Sequence, residues 1–286
     1  MLQYLECIRK AAVLIEALPH IQRFRGDTIL IKFGGSVMTD EDVFVSALRD
    51  IVFLECVGAK PVIIHGGGKE ITARLTALGI PTRFIDGLRY TCKDTIRVVD
   101  EVLHEQTNPR LVKVINDLGG KARGVSGKRV MTAAKMQSRE DLGFVGDVTA
   151  VDPAPINEVL AAGEVPVVTP LAAGADGQPY NINADIAACR VAEALRPAKL
   201  VFLSDVPGIL RDRNDESSLI STIRVEEVDG LVRDGVISGG MVPKVNSAVA
   251  ALRAGCRKVH MIDARLQHSL LLEIFTDRGV GTEIVH

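Results

Sequence analysis

The chain has 286 residues, of which 47% are hydrophobic and only 4% aromatic. That length suffices for one large α/β domain or two modest lobes, and an aliphatic core favours a mostly parallel sheet covered by helices on both faces. The 34 basic and 36 acidic residues give a net charge of −2, which excludes the overall positive field on which nucleic-acid binding relies.

The cysteine pattern and the N-terminus bear on the compartment. Five cysteines are scattered without a CxxC pair, and no HExxH occurs, so the sequence predicts reduced thiols and neither a disulfide framework nor a zinc site. No apolar run reaches the ~18 residues of a membrane span, and early charges interrupt any signal-peptide core. We therefore expect a cytoplasmic protein that does not bind membranes.

Residues 1–26 are predicted to form a helical extension ahead of the first strand. Apolar residues recur there every three or four positions, at Leu5, Ile8, Ala12 and Ile15. Pro19 is expected to end or bend the helix. Such a helix has no place in a βαβ core, so its apolar stripe either packs on another subunit or folds back on its own domain.

Two predicted strands end in glycine turns. Ile29 to Ser36 is an apolar run that contains Lys32 and stops at Gly34-Gly35, and Pro61 to Lys69 repeats the pattern with three glycines. In a parallel sheet both turns would lie at the same carboxyl edge, where backbone N–H groups can reach an anion. Lys32, inside a buried strand, either faces a cavity or a partner or extends its ammonium to water.

These turns match none of the common nucleotide motifs. The second lacks the third glycine of GxGxxG and the Ser/Thr of a P-loop. The chain also has no HRD or DFG of a protein kinase. A nucleotide site must therefore be argued from the rest of the chain.

Periodicity and turn signals predict the remaining elements. Helices are expected over about residues 41–57, 94–118, 156–162, 185–195, 225–234, 243–254 and 266–275. Strands are expected over about residues 82–85, 165–170, 199–204, 258–262 and 279–285. The long second helix is expected to break near Asn108-Pro109, residues 119–127 to form a glycine-rich turn, and residues 139–153 to contain a hairpin or edge strand.

Polar residues stand at three junctions between these elements. Asn181, Asn183 and Asp185 alternate just before a helix, and because one N-cap needs only one such residue, the trio predicts a site. Arg89, next to a short strand, can clamp a carboxylate with two parallel hydrogen bonds. Lys244 follows a glycine pair at a helix N-terminus, where an anion is favoured.

In this order the motifs resemble the amino acid kinase superfamily, and within it the family of N-acetylglutamate kinases. The matching segments are Ile31-Lys-Phe-Gly-Gly35, His65-Gly-Gly-Gly68, Gly87-Leu-Arg89, Asn181-Ile-Asn-Ala-Asp185, Leu203-Ser-Asp-Val-Pro-Gly208 and Gly239-Gly-Met-Val-Pro-Lys244. The resemblance implies the amino acid kinase fold, an α/β three-layer αβα sandwich with a mainly parallel central sheet. It also implies an acyl-acceptor lobe over residues 27–197 and a nucleotide-binding lobe over residues 198–286.

The resemblance implies a kinase that transfers phosphate from ATP to the side-chain carboxylate of N-acetyl-L-glutamate, in arginine biosynthesis. Mg²⁺ would be bound through the nucleotide phosphates, without metal ligands from the protein. Lys32 and Lys244 would neutralise the transferring group, and Asp185 would pair with both. The acceptor would be bound by Gly67, Gly68, Arg89 and Asn181. The nucleotide site would comprise Gly34 and Gly35, which would offer N–H groups to the phosphates, and Ser204, Asp205, Gly208, Ile209, Gly239, Gly240 and Met241.

The N-terminal extension and the segment from His268 to Gly279 resemble the arginine-inhibited members of that family, in which the helix interlaces dimers. The resemblance implies a homo-oligomer, a hexamer built as a trimer of dimers. It also implies an arginine site at His268, Glu273 and Gly279, where a carboxylate can bind a guanidinium. The subgroup commonly has a tyrosine after Leu-Pro, whereas this chain has His20.

Three alternatives stay open. The acceptor could be another one used in the superfamily, such as aspartate, glutamate, carbamate or uridylate, although the segments around Arg89 and Asn181 favour N-acetylglutamate. A non-catalytic arginine or nucleotide sensor would have no need of paired lysines. A dinucleotide-binding oxidoreductase is disfavoured by the incomplete glycine fingerprint.

Overall fold

The computed structural model describes residues 2–276 and 279–286, without the side chains of residues 2, 3 and 6. The helices are α1 (Leu2–Phe24), α2 (Glu41–Cys56), α3 (Gly68–Ala77), α4 (Lys93–Glu101), α5 (Asn108–Asp117), α6 (Ala154–Ala161), α7 (Ala184–Leu195), α8 (Val228–Arg233), α9 (Met241–Arg253) and α10 (Ser269–Phe275). The strands are β1 (Thr28–Phe33), β2 (Lys60–His65), β3 (Phe84–Ile85), β4 (Leu88–Arg89), β5 (Ala122–Val125), β6 (Met131–Lys135), β7 (Gly146–Val151), β8 (Val165–Val168), β9 (Leu171–Gly174), β10 (Pro179–Asn181), β11 (Lys199–Ser204), β12 (Thr222–Arg224), β13 (Val259–Asp263) and β14 (Thr282–Val285).

Eight strands form the central sheet, in the order β12-β14-β13-β11-β1-β2-β8-β5. The six strands from β13 to β5 are parallel, whereas β14 pairs antiparallel with β13 and parallel with β12. A four-stranded sheet has the order β10-β9-β6-β7, and β3 and β4 form a separate hairpin. Of the hairpin or edge strand predicted within residues 139–153, the edge strand is confirmed, since β7 lies at the edge of the four-stranded sheet and pairs antiparallel with β6, which precedes that segment.

Alternate residues of the central strands face two separate hydrophobic cores, because successive side chains of a strand point to opposite faces. Leu30 and Phe202 pack with residues of α7 and α9 on one face. Ile31 and Val201 pack with residues of α2, α5 and α10 on the other. The strands are therefore buried on both sides, and the predicted three-layer αβα class with a mainly parallel sheet is confirmed.

The prediction of a turn over residues 119–127 is wrong, because Ala122–Val125 is the edge strand of the central sheet. Within it only Val125 is buried, so the segment has no alternating hydrophobic pattern that could reveal it. Parallel pairing with β8 holds it in place. A Cβ on Gly124 would lie 2.3 Å from Asn108 Oδ1, so α5 packs closely against this strand.

The two prolines expected to disturb helices behave differently. The long helix contains a π-helical segment, Val102–Thr107, directly before Asn108-Pro109, so the predicted break is confirmed. At Pro19, by contrast, α1 continues to Phe24. Phe24 is only 6% exposed and belongs to the core of α2 and α10, and this anchor holds the last turn of α1 in place.

The apolar stripe of α1 is not covered by its own protomer. Leu5, Ile8 and Ile15 are 49%, 62% and 68% exposed. The alternative in which the stripe folds back on its own domain is therefore wrong, and packing on another subunit stays a prediction.

The predicted boundary between the lobes, at residues 197 and 198, lies between α7 and β11. β11 pairs with β1, so the segments before and after this boundary contribute neighbouring strands to one sheet. The division into two lobes stays a prediction. All five cysteines are free thiols, and none of the helices in the described part of the chain has the length and hydropathy that a membrane span requires.

Candidate active site

The two glycine turns lie side by side at the carboxyl edge of the central sheet. β1 and β2 pair in parallel with Phe33 opposite His65, so the turns that follow them are neighbours. The Gly34 N–H donates to the carbonyl of Leu203 at 2.9 Å, and a Cβ on Gly34 would lie 2.8 Å from that oxygen. This N–H is therefore engaged inside the sheet, which corrects the expectation that Gly34 offers it to a phosphate.

Two lysines from distant parts of the chain meet at one carboxylate. Lys32 on β1 places its Nζ 2.8 Å from Asp185 Oδ1, and Lys244 in the first turns of α9 places its Nζ 3.4 Å from Asp185 Oδ2. Burial opposes ionisation of Asp185, but attraction to Lys32 and Lys244 outweighs it and holds the pKa of the carboxyl below its ordinary value. The carboxylate is therefore ionised at neutral pH and holds two ammonium groups around one point.

Asn181, Asn183 and Asp185, at the start of α7, have different contacts. Asn183 is the N-cap, because its Oδ1 accepts hydrogen bonds from the N–H groups of Asp185 at 2.8 Å and Ile186 at 3.3 Å. This cap fixes the start of the helix and thereby the position of Asp185 between the lysines. Asn181, which precedes the N-cap, lines a cavity.

A cleft of about 390 Å³ opens beside the lysine–aspartate cluster. Lys32, Asp185 and Gly35 line it together with the glycine turn that follows β2. α3 begins at Gly68, and the unpaired N–H groups of a helix N-terminus favour an anion there. A Cβ on Gly68 would meet no atom within 4 Å, so the turn presents bare backbone to the cleft.

A smaller cavity, of about 170 Å³, shares walls with the cleft and contains the predicted acceptor residues Gly67, Gly68, Arg89 and Asn181. Arg89 Nη2 donates to Gly68 O and Thr72 Oγ1, each at 2.8 Å. Its Nη1 is buried and has no hydrogen-bond partner in the described part of the chain. Because an unpaired buried N–H is costly, this guanidinium is placed for an anionic ligand such as a carboxylate.

Asn181 and Arg89 are linked through a buried threonine. Asn181 Nδ2 donates to Thr91 Oγ1 at 3.2 Å, and Thr91 Oγ1 donates to the carbonyl of Arg89 at 2.8 Å. Thr91 is fully buried. The two predicted acceptor-binding residues are thus held in a fixed relation.

His65, which was not predicted as a site residue, contacts the glycine turn that follows β2. It is fully buried, with Nδ1 2.7 Å from Gly66 O and Nε2 3.1 Å from Asn108 Nδ2. Because the amide nitrogen of Asn108 only donates, Nε2 is the acceptor and Nδ1 carries the proton. Burial lowers the pKa of His65 to about 4, so the ring is neutral and orients the turn without adding charge.

Apart from Gly34 and Gly35, which follow β1, the residues predicted for the nucleotide site lie after β11 and around the start of α9. Ser204 ends β11 and is followed by Asp205, while Gly239 and Gly240 precede Met241, the first residue of α9.

The turn after Asp205 is closely packed. Gly208 has φ +141°, and a Cβ there would lie 2.5 Å from Thr282 Oγ1, so only glycine fits. The Ile209 N–H donates to the same hydroxyl at 2.8 Å, and its side chain is in the core. Ile209 therefore stabilises the loop, and the nucleotide-binding roles stay predictions.

A second cavity, of about 340 Å³, is walled by the end of α1, the start of β11, α10 and β14. Lys199 lines it, is only 7% exposed and places its Nζ 5.1 Å from the centre of the Phe24 ring. Burial lowers the pKa of Lys199 to about 8. No carboxylate of the described residues forms an ion pair with it. The cavity therefore contains a buried cation that lacks an anionic partner.

Two of the three residues predicted for arginine, Glu273 and Gly279, line this second cavity. Glu273 Oε1 is 2.5 Å from His260 Nδ1, and Oε2 accepts from the N–H groups of Val280 and Gly281. His268 is not among the lining residues. Its Nδ1 is 2.6 Å from Asp50 on α2, so the structure does not bring it together with the other two.

Sequence analysis also missed the basic residues of this cavity. Lys199 stands at the start of an apolar strand, as Lys32 stands inside one, and the same signal could have found both. The other basic side chains that line it are His20, Arg23, Arg257, Lys258 and His260.

Residues 27–263 match the amino acid kinase family. The chain is 45% identical over 293 residues to the acetylglutamate kinase of Heliobacterium modesticaldum, covering 98% of this chain and 99% of that protein. It is 47% identical over 287 residues to the acetylglutamate kinase of Pelotomaculum thermopropionicum, covering 96% and 97%.

Among solved structures, N-acetylglutamate synthase from Neisseria gonorrhoeae superposes on 96% of this chain. With coenzyme A and N-acetyl-glutamate bound, the TM-score is 0.85 at 27% identity, and with coenzyme A and L-arginine bound it is 0.80. This chain spans 63% of the length of the first of these synthase chains, so the likeness concerns that part of the synthase.

Proposed function

The chain belongs to the amino acid kinase family, and from that premise we propose that it phosphorylates the side-chain carboxylate of N-acetyl-L-glutamate with ATP. The product would be N-acetylglutamyl 5-phosphate, an intermediate for arginine biosynthesis. The observation that carries the proposal is the meeting of Lys32 and Lys244 at Asp185, beside the cavity of Arg89. The relatives named acetylglutamate kinase support the choice of acceptor.

The reaction needs charge neutralisation more than proton transfer. A side-chain carboxyl with a pKa of about 4.3 is already ionised at neutral pH, so it attacks without a general base. The obstacle is repulsion between this anion and the nucleotide phosphates. Lys32 and Lys244 offset that repulsion at the transferring group, and Asp185 keeps both ammonium groups in place before the substrate binds.

The acceptor is oriented by its second carboxylate. N-acetylglutamate carries two carboxylates, and the unpaired Nη1 of Arg89 fits the α-carboxylate in the smaller cavity. The side-chain carboxylate then extends past Gly67 and Gly68 into the cleft. Orientation of this kind lowers the barrier because the reacting atoms are already aligned.

Magnesium would be held by the nucleotide. No group of three or more His, Cys, Asp or Glu side chains suited to a metal ion occurs in the described residues, and Asp185 is occupied by two lysines. Mg²⁺ commonly binds few protein oxygens and several phosphate oxygens, so the donor set fits an ion that arrives with ATP. When bound, the ion would neutralise charge on the phosphates.

An acceptor screen tests the proposal. The purified chain is incubated with Mg²⁺ and ATP and, in turn, N-acetylglutamate, aspartate, glutamate, carbamate or uridylate. ADP release is measured for each, and acyl phosphate is trapped as its hydroxamate. We expect substantial turnover with N-acetylglutamate alone. Absence of turnover with it, or faster turnover with another acceptor, contradicts the proposal.

We propose further that arginine inhibits the enzyme by binding in the second cavity. The unpaired ammonium of Lys199 fits the α-carboxylate of an amino acid, and the carboxylate of Glu273 or Glu283, both in the cavity wall, fits a guanidinium. The synthase structure with L-arginine supports this choice of ligand.

Because α1 supplies part of the cavity wall, arginine inhibition should depend on it. Activity is measured against arginine concentration for the intact chain and for a chain that begins at residue 27. We expect inhibition of the intact chain and a weaker response after truncation. A flat response of the intact chain contradicts the regulatory proposal and leaves the catalytic one standing.

The exposed apolar stripe of α1 supports a homo-oligomer in which this helix packs on another subunit. We propose a hexamer built from three dimers joined by α1. Light scattering of the intact chain and of the chain that begins at residue 27 tests it. A hexamer that becomes a dimer is expected, and an unchanged mass after truncation contradicts the assigned role of α1.

A further inference from the structure

Three cationic side chains line the cleft, and one of them has no role so far. Lys32, Lys69 and Arg89 all lie in its wall with a single carboxylate, that of Asp185. Lys32 is paired with that carboxylate, and Arg89 donates to the backbone and to Thr72. Lys69 is therefore the cation whose charge has to be explained.

Lys69 has a neutral partner. Its Nζ donates to Thr39 Oγ1 at 3.2 Å, and no carboxylate of the described residues forms an ion pair with it. The Thr39 hydroxyl itself donates to Ser36 O at 2.7 Å, so it keeps a hydrogen bond if Lys69 leaves. Lys69 can therefore exchange a neutral contact for an anionic one without leaving a polar group unsatisfied.

The position of Lys69 indicates which anion it meets. It follows Gly68 in the first turn of α3, and Thr39 ends the short helix after the Gly34-Gly35 turn. The contact thus joins the two glycine turns across the mouth of the cleft. Lys69 lines the part of the cleft that contains Lys32 and Asp185, whereas it is not among the residues around the acceptor cavity.

We propose that Lys69 is a third phosphoryl-contacting lysine, which releases Thr39 and binds an oxygen of the transferring group. This inference rests on the proposed function. With the substrates bound, Lys32, Lys69 and Lys244 surround the phosphoryl group from three elements, β1, α3 and α9. Because Lys69 is exposed and the other two are largely buried, its contribution is the smallest of the three.

Steady-state kinetics of Lys69→Met and Lys69→Arg test the proposal, with Lys60→Met as the matched control. Lys60 is an exposed lysine at the opposite end of β2, so its loss changes the net charge equally. We expect Lys69→Met to lower kcat about tenfold, less than loss of a buried oxyanion donor, with the KM for N-acetylglutamate unchanged. Lys69→Arg should retain most turnover and Lys60→Met all of it.

Turnover of Lys69→Met equal to that of the parent chain overturns the proposal. If the parent chain transfers no phosphate to N-acetylglutamate, the proposed function has failed. The phosphate contact of Lys69 is then tested by nucleotide binding. Calorimetry with Mg²⁺ and the non-hydrolysable ATP analogue AMP-PNP then compares the parent, Lys69→Met and Lys60→Met. Weaker binding of Lys69→Met alone supports the phosphate contact, and equal binding by all three overturns it.

Discussion

The cleft beside the lysine–aspartate cluster and the second cavity both contain buried lysines near carboxylates, yet they arrange these charges differently. In the cleft, Lys32 and Lys244 are held by Asp185. In the second cavity, Lys199 faces an aromatic ring, while Glu273 is bound by His260 and backbone N–H groups. In the first cluster both ammonium groups form ion pairs within the protein, although they exceed the single carboxylate by one positive charge. In the second, no carboxylate of the described residues forms an ion pair with Lys199.

The two arrangements suit different tasks. An ion-paired cluster keeps its geometry without a ligand, which is what stabilisation of a transition state requires, because reorganisation then costs little. A buried cation without a partner raises the free energy of the unliganded state. An anion that binds there relieves this cost, so ligand binding is favoured and can shift the protein between states.

The largest effect is expected from Lys244→Ala in the cleft. Loss of one of the two lysines paired with Asp185 should reduce turnover by about 10²- to 10³-fold, the scale for a buried oxyanion donor, while the chain still folds. Turnover and thermal unfolding are measured beside Arg253→Ala, which removes an exposed cation from the other end of α9. Near-normal turnover of Lys244→Ala would refute the assigned role.

In the second cavity, Lys199→Met should leave turnover without arginine largely intact and weaken arginine inhibition. A hydrogen bond to a charged group contributes about 1.5–3 kcal/mol, so the arginine concentration for half-inhibition should rise about 10- to 100-fold. The control is Lys121→Met, an exposed lysine just before the edge strand β5. Equal inhibition of the parent and Lys199→Met would show that Lys199 does not bind arginine.

The two sites should also make different properties depend on pH. The second cavity should affect arginine inhibition at alkaline pH, and the cleft should affect stability at acid pH. Because the pKa of Lys199 is about 8, its ammonium is lost as the pH rises above that value. Arginine inhibition should therefore weaken above pH 8, by up to about tenfold per pH unit. Dose–response curves at pH 7, 8 and 9 measure this, and an inhibition that strengthens with pH would exclude an ammonium at the binding site.

At acid pH, His65 beneath the glycine turn of the cleft should lower the free energy of unfolding. The folded protein keeps this imidazole neutral down to a pH of about 4, whereas an unfolded chain protonates it below about 6.5. The unfolded state then binds more protons, so the free energy of unfolding falls as the pH falls, by about 1 kcal/mol between pH 7 and 5.5. Denaturant unfolding at both pH values checks this.

His65→Gln supplies the matched control for that measurement, because it keeps a polar side chain at the site and removes the titration. Its stability should depend less on pH over the same range. An equal dependence in the parent and the variant would assign the acid sensitivity to other groups.

Prediction from sequence succeeded where local rules apply and failed where neighbours decide. The glycine turns, an N-cap within the trio of Asn181, Asn183 and Asp185, and the lysine inside β1 follow from periodicity and capping preferences within a few residues. The edge strand β5 has no such pattern, and it is ordered by pairing with β8. His268 carried the same family signal as Glu273, but its side chain pairs with Asp50 on α2.

Sequence patterns alone were sufficient to predict the fold class, the family, and Lys32, Asp185 and Arg89 as groups of the site. These predictions rest on patterns within short segments, namely the spacing of apolar residues, the capping residues and the glycine turns. The packing of distant segments places Lys32 and Lys244 at one carboxylate and pairs the Gly34 N–H with Leu203 O. It also buries Lys199 where no carboxylate of the described residues forms an ion pair with it. The physical reason is the strand order β11-β1-β2, which makes neighbours of segments far apart in the chain, and so sets the distances between charges on which both sites depend.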